Sequence, residues 1–169
     1  LDAVTTEHVL EGEDQEFPYR ATAGQMLVSG EEDEPPAKVF YIAYELKREE
    51  GAAPRPVTFA FNGGPGASSV WLHMGVMGPR RVAIGPNAEL PRPPVGYESN
   101  PLSWLRFTDL VFVDPVGTGY SRSVQEKNPQ EQGPRPPQPD KRFWGVEQDV
   151  EHMASFIRLY LSRNQRWQS

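Results

Sequence analysis

Two glycine-rich corners hold the residues of this sequence that could do chemistry. The first is Asn62-Gly63-Gly64-Pro65-Gly66-Ala67-Ser68-Ser69, and the second is Asp114-Pro115-Val116-Gly117-Thr118-Gly119-Tyr120-Ser121. Glycine permits backbone angles closed to other residues, so each corner can turn sharply. It also lets a ligand approach main-chain N–H groups closely. Such groups can hold an anion, or the oxyanion that develops during acyl transfer. A plain tight turn would use Gly63 and Gly64 equally well, so both readings of the first corner stay open at this level.

Serine chemistry needs a nucleophile, a histidine base, an acid that orients the histidine, and donors for the oxyanion. A nucleophile elbow of the form G-x-S-x-G is not present in the sequence. Ser68 and Ser69 lie in Gly66-Ala67-Ser68-Ser69-Val70, and Ser121 lies in Gly119-Tyr120-Ser121-Arg122-Ser123; both segments lack the second glycine. These serines read as turn and helix-start residues. His73 falls inside an apolar helical pattern and reads as a surface or core histidine, and His152 receives no role.

The elements around the corners can be read from pattern. Val57-Thr58-Phe59-Ala60-Phe61 is an apolar run, read as a buried strand that delivers the first corner. Leu110-Val111-Phe112-Val113 delivers the second in the same way. Lys38 to Leu46 is the clearest strand by composition, with Val39, Phe40, Tyr41, Ile42 and Tyr44. Phe17 to Val28 pairs with it antiparallel across the acidic tip at Gly30–Pro36. Ala67 to Met77 suits a helix with Val70, Met74 and Met77 on one face, its N-terminus adding positive potential beside the first corner. Gly145 to Asn164 is the best helix, with an apolar face of Val146, Val150, Met153, Ile157 and Leu161. Eleven of the eighteen prolines fall within residues 79–103 and 124–142, marking both as long surface excursions. Residues 1–16 are polar and acidic and read as a loose arm.

Together the two corners resemble the serine carboxypeptidase family (peptidase family S10, α/β-hydrolase fold). That family carries N-G-G-P-G-C-S-S after its third strand and D-x-P-V-G-x-G-[FY]-S after the next. Met77-Gly78-Pro79, Asn100-Pro101-Leu102-Ser103-Trp104 and the helix from about Gly145 extend the likeness over residues 17–168. The resemblance implies that the N–H of Gly64 is one of two oxyanion donors, and that the Asn62 side chain and the Gly63 N–H help bind the terminal carboxylate of a peptide substrate. In the family a short strand and G-E-S-Y-[AG]-G follow the point reached at Ser169. The chain is therefore expected to be the N-terminal part of a carboxypeptidase, cut before the strand that carries the nucleophile and inactive alone. The departures from the family pattern have consequences. Val76 stands where many members have Glu, so the carboxyl pair that suits acid-active members cannot form in the same way, and Ala60 stands where many have Trp, which in the family also helps hold the substrate carboxylate. Ala67 replaces the usual Cys, as expected of a bacterial member.

Composition excludes several other classes. The formal net charge of −6 argues against a nucleic-acid surface, which must meet phosphates with basic residues. Three scattered histidines and no cysteine give no metal site, and no cofactor motif occurs; the G-x-x-x-x-G-K-[ST] spacing of nucleotide loops is absent. No apolar run is long enough to span a bilayer. The chain starts at Leu1, which suggests an upstream segment such as a secretory signal and hence a secreted or periplasmic site.

The fold expected is α/β: the first half of an α/β-hydrolase mixed sheet, an antiparallel hairpin followed by parallel strands with helices. Residues 1–16 would be the arm, and residues 17–169 the N-terminal part of one domain. The strand at Val57–Phe61 would keep a free edge, to be completed by a C-terminal fragment of the same protein or by a swapped copy. Two rival readings are an acyltransferase or hydroxynitrile lyase on the same frame, and a catalytically silent anion-binding module.

Overall fold

The computed structural model of the chain describes residues 3–12, 15–29, 36–62, 66–85, 87, 89, 92–124, 143 and 145–169. Three long strands come first: β1 (Val4–Glu11), β2 (Glu16–Val28) and β3 (Ala37–Leu46). They form an antiparallel meander in which Tyr19 faces Leu46 and Val28 faces Ala37. β4 (Val57–Ala60) follows, then a short helical segment, α1 (Val70–Leu72), which continues as one π-helical stretch over His73–Met77. A two-stranded ribbon pairs β5 (Arg80–Val82) with β6 (Tyr97–Ser99). β7 (Asp109–Val113), the two-residue β8 (Arg122–Ser123) and the long helix α2 (Val146–Arg163) complete the described elements.

The main sheet runs β1-β2-β3-β7-β4, with β8 pairing the start of β3. β7 is antiparallel to β3 and parallel to β4. This mixed order places β4 last among the described strands, with one edge unpaired. Strand alternation splits the core into two layers. On one face Val39, Tyr41, Ala43, Val111 and Val113 pack with Met153, Phe156 and Tyr160 of α2. On the other, Tyr44, Leu110 and Phe112 pack with Leu10, Tyr19, Met77 and Leu105. β7 is buried along its whole length because both layers cover it. Each fully buried aromatic or aliphatic side chain contributes about 1.5–3 kcal/mol. The four apolar residues of β7, Leu110 to Val113, therefore anchor the segments at both of its ends.

Several expectations need correction. Residues 4–11, expected within a loose arm, form β1: Thr5 and Thr22 share a hydroxyl–hydroxyl bond of 2.9 Å, and Leu10 is buried. The strand was hard to read because its side chains are mostly exposed and polar, so pairing rests on the backbone ladder. The helix from Ala67 is shorter than expected and partly π, and its inner face is different. His73 and Met77 are buried, whereas Val70 and Val76 are about half exposed. On α2, Val146 and Val150 are exposed, and the buried face is His152, Met153, Phe156 and Tyr160. Aromatic area decides this. Phe156 and Tyr160 close against Tyr41 and Phe59, with ring centroids 5.5–6.4 Å apart. Within residues 79–103, expected as one loop, the β5–β6 ribbon forms. The acidic tip at residues 30–35 and most of the second excursion, residues 125–142, lie outside the described residues.

Candidate active site

β4 and β7 run in parallel, with Ala60 opposite Phe112. Continued by two residues, this register sets Asn62 level with Asp114, so both glycine-rich corners leave the same edge of the sheet. Gly63 and Gly64 lie outside the described residues; Asn62 is half-buried directly before them.

What joins the corners is the carboxylate of Asp114, which is 5% exposed. Its Oδ1 accepts from the main-chain N–H of Ser69 at 2.9 Å and from the Ser69 hydroxyl at 2.8 Å. Its Oδ2 accepts from the N–H of Tyr120 at 3.2 Å. A buried carboxylate is costly unless donors surround it, and three donors from two segments meet that need. The main chain of Asp114 is fixed as well. Its N–H donates to the carbonyl of Phe40 at 3.0 Å, and its carbonyl accepts from the Ser121 hydroxyl at 2.7 Å. That hydroxyl in turn accepts from the N–H of Phe40 at 2.8 Å. The fully buried Ser121 thus ties the second corner to β3.

The second corner also closes on itself. Thr118 N–H and Oγ1 both donate to the Pro115 carbonyl, and Ser121 N–H donates to the Thr118 carbonyl. The guanidinium of Arg122 donates to the carbonyls of Gly119 and Ser121 at 2.9 and 2.7 Å. Gly119 has φ +45°, and a Cβ there would overlap the Asp114 carboxylate. Only glycine fits both the backbone angle and the close approach. Ser69 and Ser121 are thus structural, as the sequence pattern indicates.

Below this edge lies His73. Its ring stacks on Phe112 with centroids 4.7 Å apart, and Nε2 sits 2.5 Å from the Tyr44 hydroxyl. Burial lowers its pKa to about 4, against an opposing pull from Asp114. The ring is a neutral core group. The π-helical stretch that carries it is clamped from outside by the second small motif. Asn100 Nδ2 donates to the carbonyls of Val76 and Gly78 at 2.9 and 2.8 Å, and the Ser103 hydroxyl donates to the Met77 carbonyl at 3.0 Å. Met77-Gly78-Pro79 and Asn100–Ser103, read separately in sequence, are one structure.

A polar cleft of about 490 Å³ opens at the opposite end of the sheet, around Asp109. Most of its charges pair with one another. Asp109 meets Arg55 and Arg166 at 3.0 Å each, Glu45 meets Arg20 at 3.1 Å, and Glu7 meets Lys47 at 2.7 Å. This is a structural network and not a second candidate. Among the described residues no cluster of His, Cys, Asp or Glu could hold a metal, and no helix is long and apolar enough to cross a membrane.

The sequence reading quoted Asp114 within a motif but gave it no role. A signal was available: an acid placed directly after a fully apolar strand must find donors nearby.

Comparison with known proteins agrees with this architecture. The chain is 37% identical over 100 residues to the pheromone-processing carboxypeptidase KEX1 of Cryptococcus gattii, covering 58% of this chain and 14% of that protein. It is 32% identical over 120 residues to a probable serine carboxypeptidase of Arthroderma benhamiae, covering 64% and 21%. Among solved structures, the prohormone-processing carboxypeptidase Kex1 of Saccharomyces cerevisiae superposes with a TM-score of 0.60 at 25% identity, over 87% of this chain and 28% of that one. The chain thus spans about a fifth or less of these two curated relatives. The family model Peptidase_S10, serine carboxypeptidase, matches residues 12–169. This chain belongs to the serine carboxypeptidase family.

Proposed function

We propose that this chain is the N-terminal portion of an enzyme that hydrolyses C-terminal peptide bonds through an acyl-enzyme. The chain supplies the oxyanion corner and the carboxylate-binding residues, and the rest of the polypeptide supplies the nucleophile, histidine and acid. The observation that carries this reading is the pairing of the two corners at one sheet edge by the buried Asp114. It ties Ser69, at the end of the first corner, to the strand end that delivers the second, and a preorganised oxyanion site needs such a frame.

In this reading the N–H of Gly64 donates to the carbonyl oxygen of the scissile bond as it becomes negative. The second donor comes from the residue after the nucleophile. Asn62 and the Gly63 N–H hold the substrate's terminal carboxylate, an uncharged amide and a backbone dipole facing an anion. The open edge of β4 receives the next strand of the same protein, and the protein works outside the cytosol.

The test uses the complete polypeptide with N-blocked dipeptides. Release of the C-terminal residue from a free-acid substrate is expected. Turnover of the C-terminal amide should be at least tenfold slower, and a fluorophosphonate should abolish activity. The isolated segment 1–169 should neither turn over substrate nor bind the fluorophosphonate covalently. Equal rates on acid and amide, or labelling of the isolated segment, would contradict the proposal.

A further inference from the structure

We propose that the outer face of the helical stretch Val70–Met77 selects the C-terminal side chain of the substrate, and that the enzyme prefers peptides ending in a bulky apolar residue. The inference rests on the function proposed above and names its substrate class.

The two faces of this stretch differ. Toward the sheet it buries His73 and Met77, with Leu72 packed against the same core layer. Away from the sheet Trp71 is 70% exposed, and Val70, Gly75 and Val76 are exposed with it. Trp71 and Gly75 are four residues apart and share a side of the helix. A Cβ on Gly75 meets nothing within 4 Å, so open space lies next to the indole. From Pro56 to Pro79 the chain has no Asp, Glu, Lys or Arg. Single exposed apolar residues are ordinary, but a contiguous uncharged face marks a contact surface.

What this face contacts follows from what adjoins it. Ser69, the residue before it, donates its N–H to Asp114 at 2.9 Å. In the continued β4–β7 register Asn62 is level with Asp114, about 4.8 Å away on the neighbouring strand. The start of the face and the proposed carboxylate-binding amide thus flank the same residue. In a C-terminal amino acid the side chain and the carboxylate branch from one carbon, so a carboxylate on Asn62 keeps that side chain in this neighbourhood. Toward β7 the space is taken by Asp114 with its bonds from Ser69 and Tyr120. Toward the open edge of β4 runs the scissile bond. The Trp71–Gly75 face is the surface left. An indole with no charge near it in the chain holds an apolar or aromatic side chain and leaves a charged one without a partner.

The test uses the complete polypeptide and N-blocked dipeptides with one fixed first residue and Phe, Leu, Ala, Lys or Glu at the C-terminus. kcat/KM should be about 10–100-fold higher for Phe and Leu than for Ala, and lower still for Lys and Glu. Trp71→Ala should reduce the Phe-over-Ala ratio about tenfold, with the rate on the Ala substrate changed less than about threefold. Gly75→Leu fills the open space and should slow the Phe substrate about tenfold, again with little change for Ala. Neither substitution touches the buried side of the stretch, so urea midpoints should match wild type. Unchanged Phe-over-Ala ratios in both variants would overturn the inference; lowered urea midpoints beside them would assign the face to packing against the rest of the polypeptide. A wild-type preference for Lys or Glu would overturn it as well and leave the proposed function standing. A wild-type protein that releases no C-terminal residue would instead remove the proposed function, and this inference with it.

Discussion

Gly119 gives the sharpest test of how the corners are held together. Replacing it with alanine does two things at once. It forces a side chain onto a backbone at φ +45°, which costs about 1–2 kcal/mol. It also drives a methyl group into Oδ2 of Asp114, with the Ser68 Cβ only 3.1 Å away. The carboxylate must then move and lose at least its bond from the Tyr120 N–H. A hydrogen bond to a charged group is worth about 1.5–3 kcal/mol. The expected loss for Gly119→Ala is therefore about 2.5–5 kcal/mol. Gly51 provides the control. It has φ +81°, and a Cβ there meets nothing within 4 Å, so Gly51→Ala should lose only the backbone part, about 1–2 kcal/mol. Urea unfolding of the complete polypeptide, read from midpoints at unchanged m, gives both values. If Gly119→Ala costs no more than Gly51→Ala, the Asp114 clamp described above is not what fixes the second corner.

Three further outcomes follow from buried polar groups. His73, with its pKa lowered from 6.5 to about 4, binds a proton more readily when unfolded, so stability is full above about pH 6.5 and falls as pH drops toward 4. The fall attributable to this ring is about 3 kcal/mol, and His73→Leu should flatten that part of the stability–pH curve. Asn100→Ala leaves the Val76 and Gly78 carbonyls and the Leu102 N–H without their side-chain partner and should cost about 3 kcal/mol in urea unfolding. Arg166→Met removes one of two guanidinium groups from Asp109, whose side chain is 3% exposed, and should lower stability by about 3 kcal/mol in thermal unfolding.

Much of the frame was legible because the pattern that betrays it is the pattern that stabilises it. β3 and β7 announce themselves by runs of β-branched and aromatic residues, which both core layers bury. α2 is legible as a helix, yet its inner face is not. A stripe of Val146, Val150 and Met153 competes with one of Met153, Phe156 and Tyr160, and only the rings of Tyr41 and Phe59 across the interface decide. β1 was hidden because a strand held by its ladder needs little apolar alternation. The π-helical turn was hidden for a different reason. His73 must reach the Tyr44 hydroxyl while the carbonyls of Val76, Met77 and Gly78 meet Asn100 and Ser103, and both requirements are tertiary. At the site, glycine spacing pointed to the two corners. That one carboxylate binds them together could be seen only once β4 and β7 lay side by side.

In the proposed function the Gly64 N–H meets the developing oxyanion, and a structure of the complete protein carrying a phosphonate adduct on its nucleophile decides whether it does. The expected result is a phosphonyl oxygen about 2.7–3.1 Å from the Gly64 nitrogen, with Ser69 still bound to Asp114. A phosphonyl oxygen held wholly by other groups, with the Gly64 N–H turned away from it, would rule that role out.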